Sequence, residues 1–239
     1  MRLSRLYTPQ PLTAGSSAEL DEARSHYLSR VLRLGVGARI HVFNGDGREF
    51  PAELTAVGKK HVHIAVGEPF TPATESPLHT VLGLGISRGE RMDYAIQKST
   101  ELGVSVIVPL FTEHCEVRLD GERQDKRLEH WRGVAISACE QCGRVVPPVI
   151  EAPQTLLHWV ASEPAGLKLL FDHTQTSGLP AERPQQGVAL LIGPEGGLAP
   201  AEIQKAQAAG FTGIALGKRI FRTETAPVAA LSVLQYLWG

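Results

Sequence analysis

Residues 188–210 read VALLIGPEGGLAPAEIQKAQAAG, and three changes of pattern within this stretch decide the fold. Val188–Ile192 is an unbroken apolar run of strand length, the kind that is buried on both faces when helices cover a parallel sheet. Gly193, Pro194, Glu195, Gly196 and Gly197 then interrupt the run. From Pro200 the spacing turns helical: proline suits a first turn, Glu202 complements the positive end of the helix dipole, and Gly210 stops the pattern. Strand, glycine loop and helix in that order form the repeating unit of an α/β domain.

The same alternation extends in both directions from Leu78 to the end of the chain. Strands are expected at 79–86, 104–111, 167–171, 188–192 and 213–216, with a largely parallel sheet. Between them, GERMDYAIQKSTELG places Met92, Ala95 or Ile96, Ser99 and Leu102 at helical spacing and stops at Gly103. A second helix is expected over about 122–142, and a last one from Thr225 to Leu237.

The N-terminal part reads differently. Ile40 and Val42 alternate with polar residues and run into Asn-Gly-Asp-Gly, a hairpin signal. Val62, Ile64 and Val66 repeat the alternation, with His61 and His63 on the opposite, solvated face. A small antiparallel barrel or sandwich is therefore expected, interrupted by a helical stretch in ELDEARSHYLSRVLRL. PFTPATESP, with three prolines and no apolar period, reads as a linker. The resulting division is 1–70, linker 71–77, and 78–239.

Composition excludes several classes. Of the 239 residues 43% are hydrophobic and 21% charged, and the net charge of -1 gives no global argument for a polyanionic partner. Residues 1–70 carry nine Lys/Arg against seven Asp/Glu, a mild local excess of positive charge. No apolar run approaches the roughly 20 residues that span a bilayer, and MRLSRLYTPQPL lacks a signal-peptide core, so a cytoplasmic protein is expected. Cys115, Cys139 and Cys142 form an odd set, and the single C-x-x-C would need two more ligands to make a zinc site, for which His114, Cys115 or His130 are the candidates. They read as plain thiols, with no metal expected.

Two loops leave the ends of consecutive strands, where open α/β sheets bind ligands. One is Gly193–Gly197; the other is LGKRIFRTETAPVAAL, residues 216–231. Glycines admit a flat ligand to the backbone, and Leu216, Ile220 and Phe221 supply apolar walls. Glu195 disfavours a triphosphate, and a lysine of the phosphate-loop type is missing. A carboxylate is tolerable beside a cofactor that carries positive charge and no phosphate, as S-adenosylmethionine does. GLGISRG, residues 83–89, has the wrong glycine spacing for a dinucleotide site and reads as a tight strand-to-helix turn.

LIGPEGGLAPAEI, LGKRIFRTETA, QKSTELGV and EQCGR together resemble the RsmE family of 16S ribosomal RNA uridine N3-methyltransferases, within the SPOUT superfamily. HYLSRVLRLGVGARIHVFNGDG is similar to that family's N-terminal RNA-binding domain. The resemblance implies a PUA-like β-barrel followed by a SPOUT α/β domain tied in a deep trefoil knot, which general topology rules would not propose. It also implies S-adenosylmethionine as cofactor, a homodimer, and 16S ribosomal RNA of the small subunit as substrate, uridine 1498 being the family's target. The cofactor pocket carried over is Ile192, Gly193, Pro194, Glu195, Gly196, Gly197, Leu216, Gly217, Ile220, Phe221, Arg222, Thr225 and Ala226, with the strand end around Phe171–Thr174 as a third wall. Two departures stand out. Ala199 replaces a Ser or Thr cap, costing about 1 kcal/mol, and Lys218 stands where proline is frequent.

Methylating a uracil N3 requires loss of its imide proton and stabilisation of the charge left on the ring carbonyls. Arg222 is the candidate for that charge; Glu195 and Glu224 are alternative proton acceptors, each with a competing role as cofactor contact or helix-terminal carboxylate. Arg2, Arg5, Arg30, Arg33 and Arg39 are candidates for phosphate contacts, and Arg144, with Glu140 and Gln141, for RNA or partner-subunit contact. Two other readings stay open: a methyltransferase of the same superfamily acting on another RNA such as transfer RNA, and a non-catalytic RNA-binding assembly factor.

Overall fold

The computed structural model describes residues 3–58, 60–117, 119–164, 166–172, 178–180 and 182–239. The chain divides into two compact units, Met1–Glu75 with Cys139–Pro147, and Ser76–Ala138 with Pro148–Gly239.

The first unit is built on β1 (Ser4–Tyr7), β2 (Ser17–Leu20), the short helix α1 (Glu22–His26), β3 (Arg39–Phe43), β4 (Glu49–Val57) and β5 (Val62–Val66). The strands pair in the order β1-β3-β4-β5-β2. The Asn-Gly-Asp-Gly turn makes the β3–β4 hairpin, with Gly45 and Gly47 at φ of 91° and 88°, a backbone that favours glycine. Asp21 caps α1 by accepting from the Arg24 N–H at 2.9 Å. The helix then widens into a π-turn over Tyr27–Val31, with the Leu32 N–H donating to Tyr27 O at 2.9 Å. Leu6, Leu28, Ile40, Val42, Leu54 and Ile64 fill its core, so the period-two alternation in this region points inward as expected.

The second unit contains β6 (Thr80–Gly85), α2 (Glu90–Glu101), β7 (Val106–Phe111), α3 (Gly121–Cys142, whose last turn joins the first unit), β8 (Val149–Ile150), β9 (Gln154–Thr155), α4 (Leu156–Ser162), β10 (Leu167–Phe171), β11 (Val188–Ile192), α5 (Pro200–Ala208), β12 (Thr212–Ile214) and α6 (Thr225–Trp238). Its strands run β12-β10-β11-β6-β7-β8, with β9 also on β7, and every pairing is parallel. All five residues of β11 are buried, which accounts for its uninterrupted apolar sequence. One sheet face packs Leu82, Leu84, Leu190 and Ile192 against Met92, Ile96, Trp131 and Leu231 of α2, α3 and α6. The other packs Val81, Ala189 and Leu191 against Trp159 of α4 and Ala206 of α5.

GLGISRG differs from the expectation of a turn. Gly83 and Gly85 lie inside β6, and each marks a close approach that a side chain would obstruct. A Cβ at Gly83 would sit 2.4 Å from the Trp159 ring, and one at Gly85 would sit 2.4 Å from the Pro194 nitrogen.

Candidate active site

Because the sheet is parallel, the carboxyl ends of β10, β11 and β12 open on one edge, and the segments that leave them surround a cavity of about 740 Å³. That volume is within the usual range for a small-molecule site. Phe171, Ile192, Gly193, Pro194, Glu195, Gly196, Gly197, Ile220, Phe221, Arg222, Glu224 and Ala226 all line it. Leu216, Gly217 and Thr225 do not; Thr225 opens α6, and Leu216 and Gly217 lie in the bend beyond β12. Of the strand end proposed as a third wall, Phe171 and Asp172 line the cavity, whereas His173 and Thr174 are outside the described residues. Phe171 and Phe221 stack with centroids 5.9 Å apart and planes 19° from parallel, a flat apolar wall suited to an aromatic ring.

The two loops are tied together from within. The Thr223 hydroxyl donates to Gly193 O at 3.0 Å and lies 3.2 Å from the Ser87 hydroxyl, so the segment after β6 also supports the site. Gly197 has a φ of 71°. Gly196 has a different reason to lack a side chain, since its Cβ would stand 2.8 Å from the Cβ of His114.

Glu195 is held by two donors that sequence reading missed. The Arg88 N–H and the Arg91 guanidinium both reach its Oε1 at 3.2 Å. Partial burial pushes the carboxyl's pKa up, but its own N–H, that of Arg88 and the Arg91 side chain outweigh this and hold it below the usual glutamate value. Glu224 contrasts with it. Its Oε2 is buried without a hydrogen-bond partner among the described residues, an uncommon condition for a carboxylate oxygen, and its side chain does not cap α6. Arg222 is exposed and lines the same cavity. Arg91 and Thr223 carried no local signal, because Arg91 acts on a residue 104 positions away and Thr223 on one 30 away.

Ala199 does begin α5 without a side-chain acceptor, but the other half of the cap is present. Glu202 accepts from the Ala199 N–H and from the Glu113 N–H, both at 2.9 Å.

The arginines proposed for RNA separate into two groups. Arg5 is a correction: its side chain is only 6% exposed, its Nε donates to Glu49 Oε1 at 2.6 Å, and its other nitrogens donate to the carbonyls of Cys139 and Arg144. Arg144 is a second correction, being 7% exposed and paired through Nε with Glu75 Oε2 at 2.9 Å. Both are structural cations inside the first unit: the Arg5 guanidinium is spent on Glu49 and backbone carbonyls, the Arg144 Nε is paired with Glu75, and neither side chain is exposed enough to meet a phosphate. Glu140 is likewise turned inward, accepting from the Tyr7 N–H at 2.9 Å, with its carboxyl pushed up by burial. Arg30, Arg33 and Arg39 are exposed on the first unit. Arg2 is outside the described residues. Among the described residues no cluster of three His, Cys, Asp or Glu stands ready to hold a metal ion, and no helix is long and apolar enough to cross a membrane.

Comparison with known proteins gives concordant matches. The RNA methyltransferase domain model matches residues 74–235, and the RNA methyltransferase PUA domain model matches residues 20–67. A ribosomal RNA small subunit methyltransferase E from Buchnera aphidicola is 36% identical over 241 residues, covering 100% of this chain and 98% of its own. The crystal structure of a ribosomal RNA small subunit methyltransferase E from Neisseria gonorrhoeae, bound to S-adenosyl methionine, is 37% identical with a TM-score of 0.93, covering 100% of this chain and 99% of that one. A Legionella pneumophila protein solved with the cofactor SAM bound is 40% identical with a TM-score of 0.95, covering 99% of this chain and 98% of that one.

Proposed function

The chain belongs to the ribosomal RNA small subunit methyltransferase E family, and from that premise we propose that it methylates N3 of one uridine, the family's position 1498, in 16S ribosomal RNA. Its activity is S-adenosylmethionine-dependent methylation of small-subunit ribosomal RNA. The cofactor fits the chain's own residues: a cavity of about 740 Å³ with a glycine-lined backbone edge, a stacked Phe171–Phe221 wall and a carboxylate, without the lysine that a phosphate-loop nucleotide site would provide. When bound it supplies an electrophilic methyl group on a sulfonium centre.

The observation that carries the finer reading is Glu224, a carboxylate side chain that lines the cavity two residues from Arg222 and whose Oε2 has no hydrogen-bond partner among the described residues. Glu224 accepts the uracil N3 proton once its carboxylate, held by no partner among the described residues, turns into the cavity it lines. Arg222, on the same segment, faces the charge left on the ring carbonyls. Glu195 is committed to the Arg88 N–H and the Arg91 guanidinium, which hold its carboxyl below the usual value, and it fixes the glycine loop. The knotted path implied by the resemblance belongs to the same proposal, supported by the Thr223–Gly193 tie between the two loops. So do a cytoplasmic location and a homodimer, the latter supported by the exposed apolar side chains of Tyr94, Tyr236 and Leu237 on α2 and α6.

Nucleoside mass spectrometry of 16S ribosomal RNA tests the reading. A deletion strain should lack N3-methyluridine, wild-type complementation should restore it, and Glu224→Gln should not, although the purified variant still binds S-adenosylmethionine by calorimetry. Unchanged N3-methyluridine in the deletion strain refutes the target. Full restoration by Glu224→Gln refutes the proton acceptor.

A further inference from the structure

The segment that follows β7, residues 113–116, does not line the cavity, yet it reaches the loop that does. Its path is anchored on both sides. The Glu113 N–H donates to Glu202 Oε1 of α5 at 2.9 Å, and Glu116 Oε2 pairs with the Arg88 guanidinium at 2.7 Å. Between these anchors the Cys115 N–H closes a turn on Thr112 O at 3.1 Å, and the Cys115 Sγ lies 3.4 Å from Ile86 O. His114, inside this turn, sets its ring Nδ1 3.0 Å from the Gly196 carbonyl oxygen. A carbonyl only accepts, so Nδ1 carries the proton and donates. The rest of the loop is held as well: Thr223 donates to Gly193 O, the Gly197 N–H to Pro194 O at 2.9 Å, and Arg88 and Arg91 to Glu195. His114 adds the tie on Gly196, and the approach is close enough to dictate its partner. A Cβ on Gly196 would stand 2.8 Å from the His114 Cβ and 3.3 Å from the His114 carbonyl oxygen. An exposed hydrogen bond competes with water, but here the fold fixes donor and acceptor beforehand, which lowers the ordering cost of the contact.

We propose that His114 is a positioning residue of the cofactor site. By donating to Gly196 O it holds the Gly193–Gly197 loop in the shape that S-adenosylmethionine meets, so it acts on cofactor affinity through the loop and not by touching the cofactor. The inference rests on the reading of this cavity as the cofactor site, and its test needs no methyl transfer.

The full-length protein is titrated with S-adenosylmethionine by calorimetry, with thermal melting of the free protein alongside. His114→Phe keeps a ring and removes the donor; it should weaken affinity roughly three- to tenfold, the size of one net hydrogen bond, with the melting temperature unchanged. His114→Ala, which cannot crowd the loop, should weaken it alike. His114→Asn should bring affinity back to within about twofold of wild type, because its amide nitrogen is attached to Cγ as Nδ1 is, and donates. General packing by the ring would leave Asn no better than Ala. Wild-type affinity in either donor-less variant, or an Asn variant as weak as Ala, overturns the proposal. Phe221→Ala, which removes one face of the aromatic wall, separates this inference from the reading beneath it. A loss there beside wild-type affinity in the His114 variants refutes His114 alone, whereas wild-type affinity in all of them refutes the cavity as the cofactor site as well.

Discussion

Gly85→Ala tests whether β6, which contributes no lining residue to the cofactor cavity, nevertheless sets its shape. The added methyl would stand 2.4 Å from the Pro194 nitrogen, 2.6 Å from Pro194 Cδ and 2.8 Å from the Gly193 carbonyl carbon. All three belong to the backbone or a proline ring, so no side-chain rotation relieves the contact. Restoring ordinary van der Waals separation requires the Gly193–Gly197 loop to retreat by about 1 Å from β6. Overpacking of that kind costs about 1–3 kcal/mol. Taken wholly from cofactor binding, this corresponds to a loss of roughly 5- to 150-fold in S-adenosylmethionine affinity. Gly83→Ala is the matched control, because it is on the same strand face but meets the Trp159 ring at 2.4 Å, away from the loop. Calorimetric titration and thermal melting of both variants decide the matter. Gly83→Ala should melt lower with cofactor affinity within about twofold of wild type, and Gly85→Ala should show the affinity loss. Wild-type affinity in a folded Gly85→Ala protein would refute the claim that β6 positions the loop.

Arg5→Ala should destabilise the first unit by about 3–5 kcal/mol, since it leaves a buried Glu49 carboxylate and two carbonyls without their guanidinium; chemical denaturation followed by a probe in that unit measures it, and a loss under 1 kcal/mol would contradict the buried-pair account. Replacing Arg30, Arg33 and Arg39 together by alanine should reduce the slope of log affinity against log salt by about 2 for single-stranded RNA, at roughly 0.7 per phosphate contact; an unchanged slope would remove all three from the interface. Arg222→Ala should lower turnover by roughly 10²-fold with cofactor affinity unchanged, and wild-type turnover would exclude it from the chemistry. The Glu195 carboxyl is held below its usual value of 4.5, so its contribution is complete above that pH and is lost only as pH falls through the lowered value. Cofactor affinity should therefore stay level from neutral pH down to about 5, and Glu195→Gln should remove the decline seen at more acidic pH; a fall centred near pH 6 in the wild type would assign the effect to another group.

Hydrophobic periodicity carried most of the architecture. Continuous apolar runs such as Val188–Ile192 announced buried parallel strands, and alternation at Ile40 and Val42 announced a hairpin, because these patterns report which faces meet water. The π-turn after α1 was less legible, since it arises from a hydrogen bond between Leu32 and Tyr27 that has no residue signature.

At the site, sequence by itself determined the loop and its glycines, because those depend on residues a few positions apart. What only the tertiary structure decided depends on residues far apart in the chain. Arg5 and Arg144 look like any surface arginine until burial shows their guanidinium groups consumed by Glu49, Glu75 and backbone carbonyls. Glu195 and Glu224 are equivalent carboxylates in the sequence; folding brings Arg88 and Arg91 to one and leaves an oxygen of the other buried with no partner among the described residues. A side chain's chemistry is set by the dielectric and the partners around it, and both are properties of the packed chain, not of the residue.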